Sequence, residues 1–271
     1  VGFILGPALG GLLGELGTRA PFFAAAGLSL LNLVYGSLVL PESLPPESRR
    51  PFDWRRANPL GTLVEMRKHR VVRGVLVALF LWMVAHQVMP ATWTFYTKLR
   101  FSWSEATIGA SLAVAGLVMA VSQATLMRLV VPRVGERRAA LAGIAVASLG
   151  YLGYATATAG WMMFAWLATW LVGALVMPST NALMSHRIDK AAQGELQGAV
   201  ASLFSLSSIV GPPLMTQLFG RFSAPDAPIR VPGAAFLAST VLAWTCFGLY
   251  YAATREWEAV ETAVSGSGPP A

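Results

Sequence analysis

AALAGIAVASLGYLGYATATAGWMMFAWLATWLVGALVMPSTNALMS, residues 139–185, contains no lysine, arginine, histidine, aspartate or glutamate. A hydrocarbon core about 30 Å thick takes roughly 20 apolar residues of helix per crossing. The stretch is long enough for two crossings, with a natural break near Ala157 and Gly160. Backbone amides in lipid have no water to bond, so each crossing must satisfy them internally, as a helix does. Two helices joined by so short a turn run antiparallel. The stretch therefore predicts a transmembrane helical hairpin, 139–157 followed by 161–183.

The same reading extends in both directions. Residues 22–40, 72–95, 108–131, 196–219 and 234–253 are also apolar and of spanning length, whereas 1–14 is apolar but too short to cross. Across the chain 55% of residues are hydrophobic and 12% charged, against about 25% charged in a soluble domain. The fold class expected is an all-α polytopic membrane protein. Most connections are short. The exception is 41–70, rich in proline and charge, which reads as a cytoplasmic linker between a first helical part (1–40) and a six-helix bundle (71–255). Within the linker, Asn58 suits an N-cap and Pro59 a first helical position. Leu60, Leu63 and Val64 then share a face ahead of Arg67, Lys68 and Arg70, which describes either an interfacial amphipathic helix or a solvated one. Residues 256–271, ending in Gly-Ser-Gly-Pro-Pro-Ala, read as a disordered tail.

The net charge of +7 could suggest a nucleic-acid partner. Its basic residues, however, flank apolar spans, where anionic lipid headgroups are the nearer partner. Fifteen of the twenty lysines and arginines fall on one set of alternate connections, chiefly 41–73 and 128–138. By the positive-inside rule these connections and the C-terminus are cytoplasmic. The three histidines and the single Cys246 have no metal-ligand spacing. Neither paired intramembrane carboxylates nor a Ser-His pair with loop access is present. The sequence implies no catalytic centre, no metal and no cofactor.

An internal echo gives the longer-range organisation. Ile4-Leu5-Gly6-Pro7-Ala8-Leu9 returns as Ile209-Val210-Gly211-Pro212-Pro213-Leu214. The interval is about the length of one six-helix half in a transporter built from parallel repeats. On that basis the chain is expected to hold the end of helix 5 and helices 6 to 12 of a twelve-helix protein, with four helices before Val1. Gly2, Gly6, Pro7, Gly10 and Gly11 resemble the helix 5 antiporter motif of major facilitator superfamily drug exporters. Pro41-Glu42-Ser43-Leu44-Pro45-Pro46-Glu47 and Trp54-Arg55-Arg56-Ala57-Asn58-Pro59 resemble the linker of the tetracycline-resistance-type branch. Pro178 and Gln193-Gly194-Glu195-Leu196-Gln197-Gly198 are similar to that branch's connection between helices 10 and 11. Arg133, Gly135, Arg137 and Arg138 keep the basic end of its cytoplasmic loop motif. The resemblance also implies an aspartate in helix 9, but 143–148 holds none, and Val146 stands about where it would fall.

Candidate site residues follow from cost. Ionisable groups are expensive inside a span and therefore functional candidates. His86, beside Gln87 and ahead of Pro90, is the titrating side chain placed deepest. It is either a group that meets substrate or a coupling proton, or a neutral histidine bonded to Gln87 or a neighbouring helix. Gln123 and Asn181 join it as cavity candidates, with Asn32, Trp166, Trp170 and Gln217 as further possibilities. Trp93, Trp103 and Trp161 read as an interfacial aromatic belt. The glycines at 2, 6, 10 and 14, four apart, give a close-packing helix face that Pro7 can bend. All thirteen carboxylates lie in loops, helix ends or the tail.

The resemblance implies proton-driven efflux of tetracycline-like or other amphiphilic drugs, by alternating access, across a bacterial cytoplasmic (inner) membrane. The partners expected are that small molecule, protons and membrane lipid, with no nucleic acid, and the complete protein is expected to be monomeric. An importer of the same superfamily and a non-functional truncated remnant are the alternatives.

Overall fold

The computed structural model describes residues 13, 17, 19–40, 70–189 and 192–266, which fall into two compact units, Val1–Pro51 and Phe52–Ala271. Gly2, Gly6, Pro7, Gly10 and Gly11, the linker 41–69 and the final Gly-Pro-Pro-Ala lie outside the described residues. In the first unit α1 (Ala20–Val39) carries Pro21 in its opening turn, where a missing N–H costs nothing. Ser29 and Ser37 return their hydroxyls to the Ala25 and Val34 carbonyls, so these polar atoms are satisfied within the helix. The rest of α1 is almost wholly apolar, as suits a span in lipid.

The second unit comprises α2 (Arg70–His86), α3 (Val88–Phe101), α4 (Glu105–Val121), a π-helical turn (Ser122–Leu126), α5 (Met127–Leu129), α6 (Val131–Val134), α7 (Glu136–Thr156), α8 (Gly160–Leu167), α9 (Trp170–Gly173), α10 (Val176–Ser185), α11 (Gln193–Ser223) and α12 (Ala234–Gly266). The described residues hold seven stretches long and apolar enough to cross a membrane: Ala20–Val39, Val72–Phe101, Ala106–Leu129, Glu136–Thr156, Gly160–Ser185, Gln193–Ser223 and Ala234–Arg255. Each contains one of the spanning segments read from the sequence, to within a few residues at the ends.

The hairpin 139–185 shows how the spans meet. Along α7, Gly143 lies against Val176, Gly150 against Thr169 and Gly153 against Trp166. Each step forward on α7 is an equal step back on its partner, the register of an antiparallel pair. A methyl at Gly150 would collide with the Thr169 hydroxyl oxygen, so the missing side chains set the separation. Close backbone approach over small residues is how helices associate where lipid removes the hydrophobic drive.

Three spans are not continuous. The Val72–Phe101 span turns at Gln87, whose N–H reaches back to Val84, and Pro90 denies the His86 carbonyl its usual donor. The Gly160–Ser185 span breaks near Ala168 and Ala174. The Ala106–Leu129 span passes through the π turn, an irregularity that often marks a functional or bending point. α11 stays helical through Pro212 and Pro213.

α12 packs chiefly on α2 and α7, and α11 on α2 and α3. The buried interior includes Leu79, Trp82, Tyr151, Met163, Leu196 and Phe236. Two sequence expectations change here. Trp93 is 3% exposed, and its indole N–H donates to Ser111 Oγ at 2.9 Å, so it belongs to the interior and not to an interfacial belt. Helix α12 also continues to Gly266, through residues read as disordered tail. The reason is local: Glu256, Glu258, Ala259, Glu261 and Ala263 include good helix formers, and Trp257 is buried against its surroundings.

Candidate functional site

The break at Gln87 gathers the polar and aromatic groups of the bundle interior. His86 is half-buried at the end of α2. Its Nδ1 stands 3.4 Å from the Tyr151 hydroxyl of α7, a long hydrogen bond in which either group can donate according to the imidazole tautomer. The Trp170 ring of α9 meets the imidazole edge-on at 4.7 Å, and Trp82, one turn earlier on α2, lies parallel to it at 6.4 Å. Tyr151 and Trp170 also touch each other, ring centroids 5.9 Å apart. Three residues from three spans thus surround one titratable ring.

Gln87, the next residue, points to α11. Its Nε2 donates to Ser208 Oγ at 2.9 Å. Three residues on, Gly211 is so close that an added methyl would stand 2.6 Å from Gln87 Cβ and 2.5 Å from Cγ. The Gly-Pro-Pro turn of α11 therefore sits directly on the turn between α2 and α3. Ser239 of α12 donates to the Ala85 carbonyl beside the same break, at 2.9 Å. The polar groups exposed by one bend are met by three neighbouring helices.

The structure brings His86, Gln87 and Trp170 together but leaves other candidates elsewhere. Gln123 is exposed within the π turn. Asn181 lies on α10 with its Oδ1 buried and without a hydrogen-bond partner. Trp166 packs over Gly153, and Gln217 is exposed on α11. Sequence reasoning missed Trp82 and Tyr151. The first had a signal, because a residue four before His86 shares its helix face; the second had none in its own segment. Among the described spans no aspartate or glutamate stands away from a span end.

A second cluster forms where spans end. Gly135, at φ +83°, makes the turn between α6 and α7, a backbone region that disfavours other residues. Arg133 is exposed and caps its own turn through Nη1 to the Leu129 carbonyl at 2.8 Å. Arg137 donates from Nε to Thr254 Oγ1 of α12 at 2.9 Å, and its guanidinium lies over the Tyr251 ring at 5.2 Å. Arg138 is exposed. From the end of α10, His186 Nδ1 approaches Glu136 Oε1 at 3.8 Å, and Arg187 stacks on Trp257 at 4.9 Å. The cluster thus joins the start of α7 and the end of α10 to α12 at Tyr251, Thr254 and Trp257.

Comparison with known proteins agrees with this architecture. The family model for the Major Facilitator Superfamily matches residues 1–212 and 90–266. The class C tetracycline resistance protein of Escherichia coli is 40% identical over 219 residues, covering 81% of this chain and 55% of that protein. The class G tetracycline resistance protein of Vibrio anguillarum is 36% identical over 228 residues, with 80% and 55% covered. A crystal structure of the human organic anion transporter TETRAN matches with a TM-score of 0.78 at 24% identity, covering 92% of this chain and 60% of that one. At that identity the likeness is one of fold. The chain spans about half the length of the curated relatives it matches.

Proposed function

The chain belongs to the major facilitator superfamily, and from that premise we propose that it serves in proton-driven export of tetracycline-like or other amphiphilic drugs across a bacterial cytoplasmic membrane. Its C-terminus and the basic connections face the cytoplasm. The observation that carries the proposal is the junction at Gln87, where a titratable ring, three aromatic rings and an amide–hydroxyl pair meet at the bend of two packed spans. Aromatic surface with a few oriented polar groups is what a planar, amphiphilic molecule requires of a pocket. A bend supported by neighbouring side chains supplies a point about which a bundle can rock in alternating access. His86 is the group in this cluster whose side chain can carry a proton. It takes the coupling role that the resemblance would give to a helix 9 carboxylate. Gln87 orients α11, while Gln123 and Asn181 serve a wider cavity wall. The glycine motif at Gly2, Gly6, Gly10 and Gly11 with Pro7, which lies outside the described residues, is assigned the role of limiting leakage. No covalent step is involved.

The test is tetracycline accumulation in everted membrane vesicles energised by a proton gradient. Accumulation should collapse with a protonophore. His86→Leu should lower the initial rate by about tenfold or more, the scale of one lost polar interaction at a critical step. His86→Gln should keep drug binding while removing the pH dependence of transport. Full, pH-dependent transport by both variants would remove His86 from the mechanism.

A further inference from the structure

Gln193 opens α11 and reaches back to the end of α10. Its Nε2 donates to the Ser185 carbonyl at 2.7 Å and to the Ile188 carbonyl at 3.2 Å, while its Oε1 accepts from Ser185 Oγ at 2.8 Å. We propose that Gln193 is a positioning residue for export: its amide clasps α10 to α11, so that the helix carrying Ser208 and Gly211 moves together with the span carrying Trp170. The inference rests on the export reading given above.

The chemistry of the clasp is specific. Ser185 is the last residue of α10, and the final carbonyls of a helix have no partner within it. A primary amide can donate twice and accept at the same time, which is what the two carbonyls and the hydroxyl require. The same three groups fix which way the amide points, because the flipped form would set oxygen against two carbonyl oxygens. A carboxylate of equal length would lose both donated bonds, and asparagine is one methylene short.

Position gives the clasp its reach. α10 packs chiefly on α7, whereas α11 packs on α2 and α3, so the interior ties the two helices to different partners. α10 ends a span interrupted near Ala168 and Ala174. The short α9 of that span presents Trp170 to His86, ring centroids 4.7 Å apart. α11 presents Ser208 to Gln87 at 2.9 Å. Between Gln193 and Ser208 the helix runs without a proline, a rise of about 22 Å at 1.5 Å per residue. A displacement imposed on its first turn is therefore carried to the junction. The clasp connects the imidazole side of the junction to its amide side by a route that runs around it.

Two arms test this. In everted vesicles, Gln193→Leu should lower the maximal rate of tetracycline accumulation by about tenfold, the scale of one or two net hydrogen bonds, with KM unchanged. Gln193→Glu should be as slow, and Ser185→Ala, which keeps both carbonyl bonds, should lie nearer the wild type. In a Cys246→Ala background, Ser185→Cys/Gln193→Cys should be slow until a short bifunctional thiol reagent joins the two positions, which should restore the rate. The second arm needs neither drug nor gradient. In the purified Cys246→Ala protein, Gln193→Leu should make a thiol at Ser208→Cys react with maleimide about threefold faster, the scale of one loosened polar contact in a membrane bundle. A thiol at Thr158→Cys, exposed in the turn between α7 and α8, should react as before. Absence of gradient-driven accumulation in the wild type would strike the export reading, and the labelling arm would still decide whether the clasp sets α11. Unchanged labelling at position 208 in Gln193→Leu overturns the proposal. So does a joined pair that stays slow, or a Gln193→Leu protein whose KM rises while its maximal rate holds.

Discussion

The junction at Gln87 and the cluster at Gly135–Arg138 are built from different chemistry, although both join the same α7 to its neighbours. At the junction the contacts are ring on ring, with one long imidazole–phenol bond and one amide–hydroxyl bond. At the cluster they are guanidinium, imidazole and carboxylate, held by hydroxyls and aromatic faces. Depth explains the contrast. A permanent charge within the hydrocarbon region needs a partner or water to be tolerated, so the interior uses uncharged polar groups around one imidazole. Span ends reach water and headgroups, so fixed charges are tolerated there. Oriented but uncharged polarity supports the bend in the middle, whereas charge at the ends holds helices in place.

The largest way to break this comparison is at Gly211. A methyl there meets Gln87 Cβ, an atom bonded to the backbone that cannot swing aside, so Gly211→Ala should force α11 away from the bend. The expected destabilisation is about 1–3 kcal/mol, the usual scale of overpacking, with drug transport lost in parallel. Gly220→Ala lies on the same helix with nothing within 4 Å of the added atom. It should be neutral or slightly stabilising, because alanine is the better helix former. Thermal unfolding of the two purified variants compares them directly, and equal midpoints would mean that the close approach does not hold the junction together.

A smaller effect sharpens the description of the interior. Gln87→Leu and Ser208→Ala each remove one side of the 2.9 Å bond. Polar pairs within membrane bundles average about 0.6 kcal/mol by double-mutant cycles. The double variant should therefore unfold only as readily as the worse single variant, with a coupling of that size. Strict additivity would show that the bond contributes nothing.

The smallest expected effect is at the charged end. Arg137→Gln removes the bond to Thr254 and the contact with Tyr251, at a cost of about 0.5–1 kcal/mol for a partly exposed cation–π pair. The loss should shrink in high salt if charge dominates and persist if packing does. A destabilisation larger than that of Gly211→Ala would reverse the ranking of the two regions.

How much of this was legible in the sequence depended on the length scale of the signal. The spans were legible because hydrocarbon thickness imposes a length and excludes charge, and residues 139–185 carry both marks. The antiparallel register of α7 was latent in Gly143, Gly150 and Gly153, yet it needed the partner residues Val176, Thr169 and Trp166 to become visible. The echo at Gly211-Pro212 drew attention to a real close contact, although nothing near it in sequence announced Gln87 as the opposing residue. Tyr151 was invisible for the same reason: its role comes from another span. Asn181 and Gln123 were chosen for residue type and supposed depth, and the structure leaves them apart from His86. Trp93 was misassigned because a tryptophan near a span end suits both an interfacial ring and a buried donor, and only Ser111 decides between them. The tail was read from its Gly-Ser-Gly-Pro-Pro ending, which masked the helix formers before it.

The central claim is that drug passes the junction where α11 meets the turn between α2 and α3. Ser208 is exposed there, and Cys246 is the sole cysteine, buried and removable. In a Cys246→Ala background, Ser208→Cys should react with a water-soluble maleimide in energised membranes, and tetracycline should slow that reaction in proportion to its occupancy. A thiol at position 208 that is never labelled, or that labels at the same rate with saturating drug, would contradict the account.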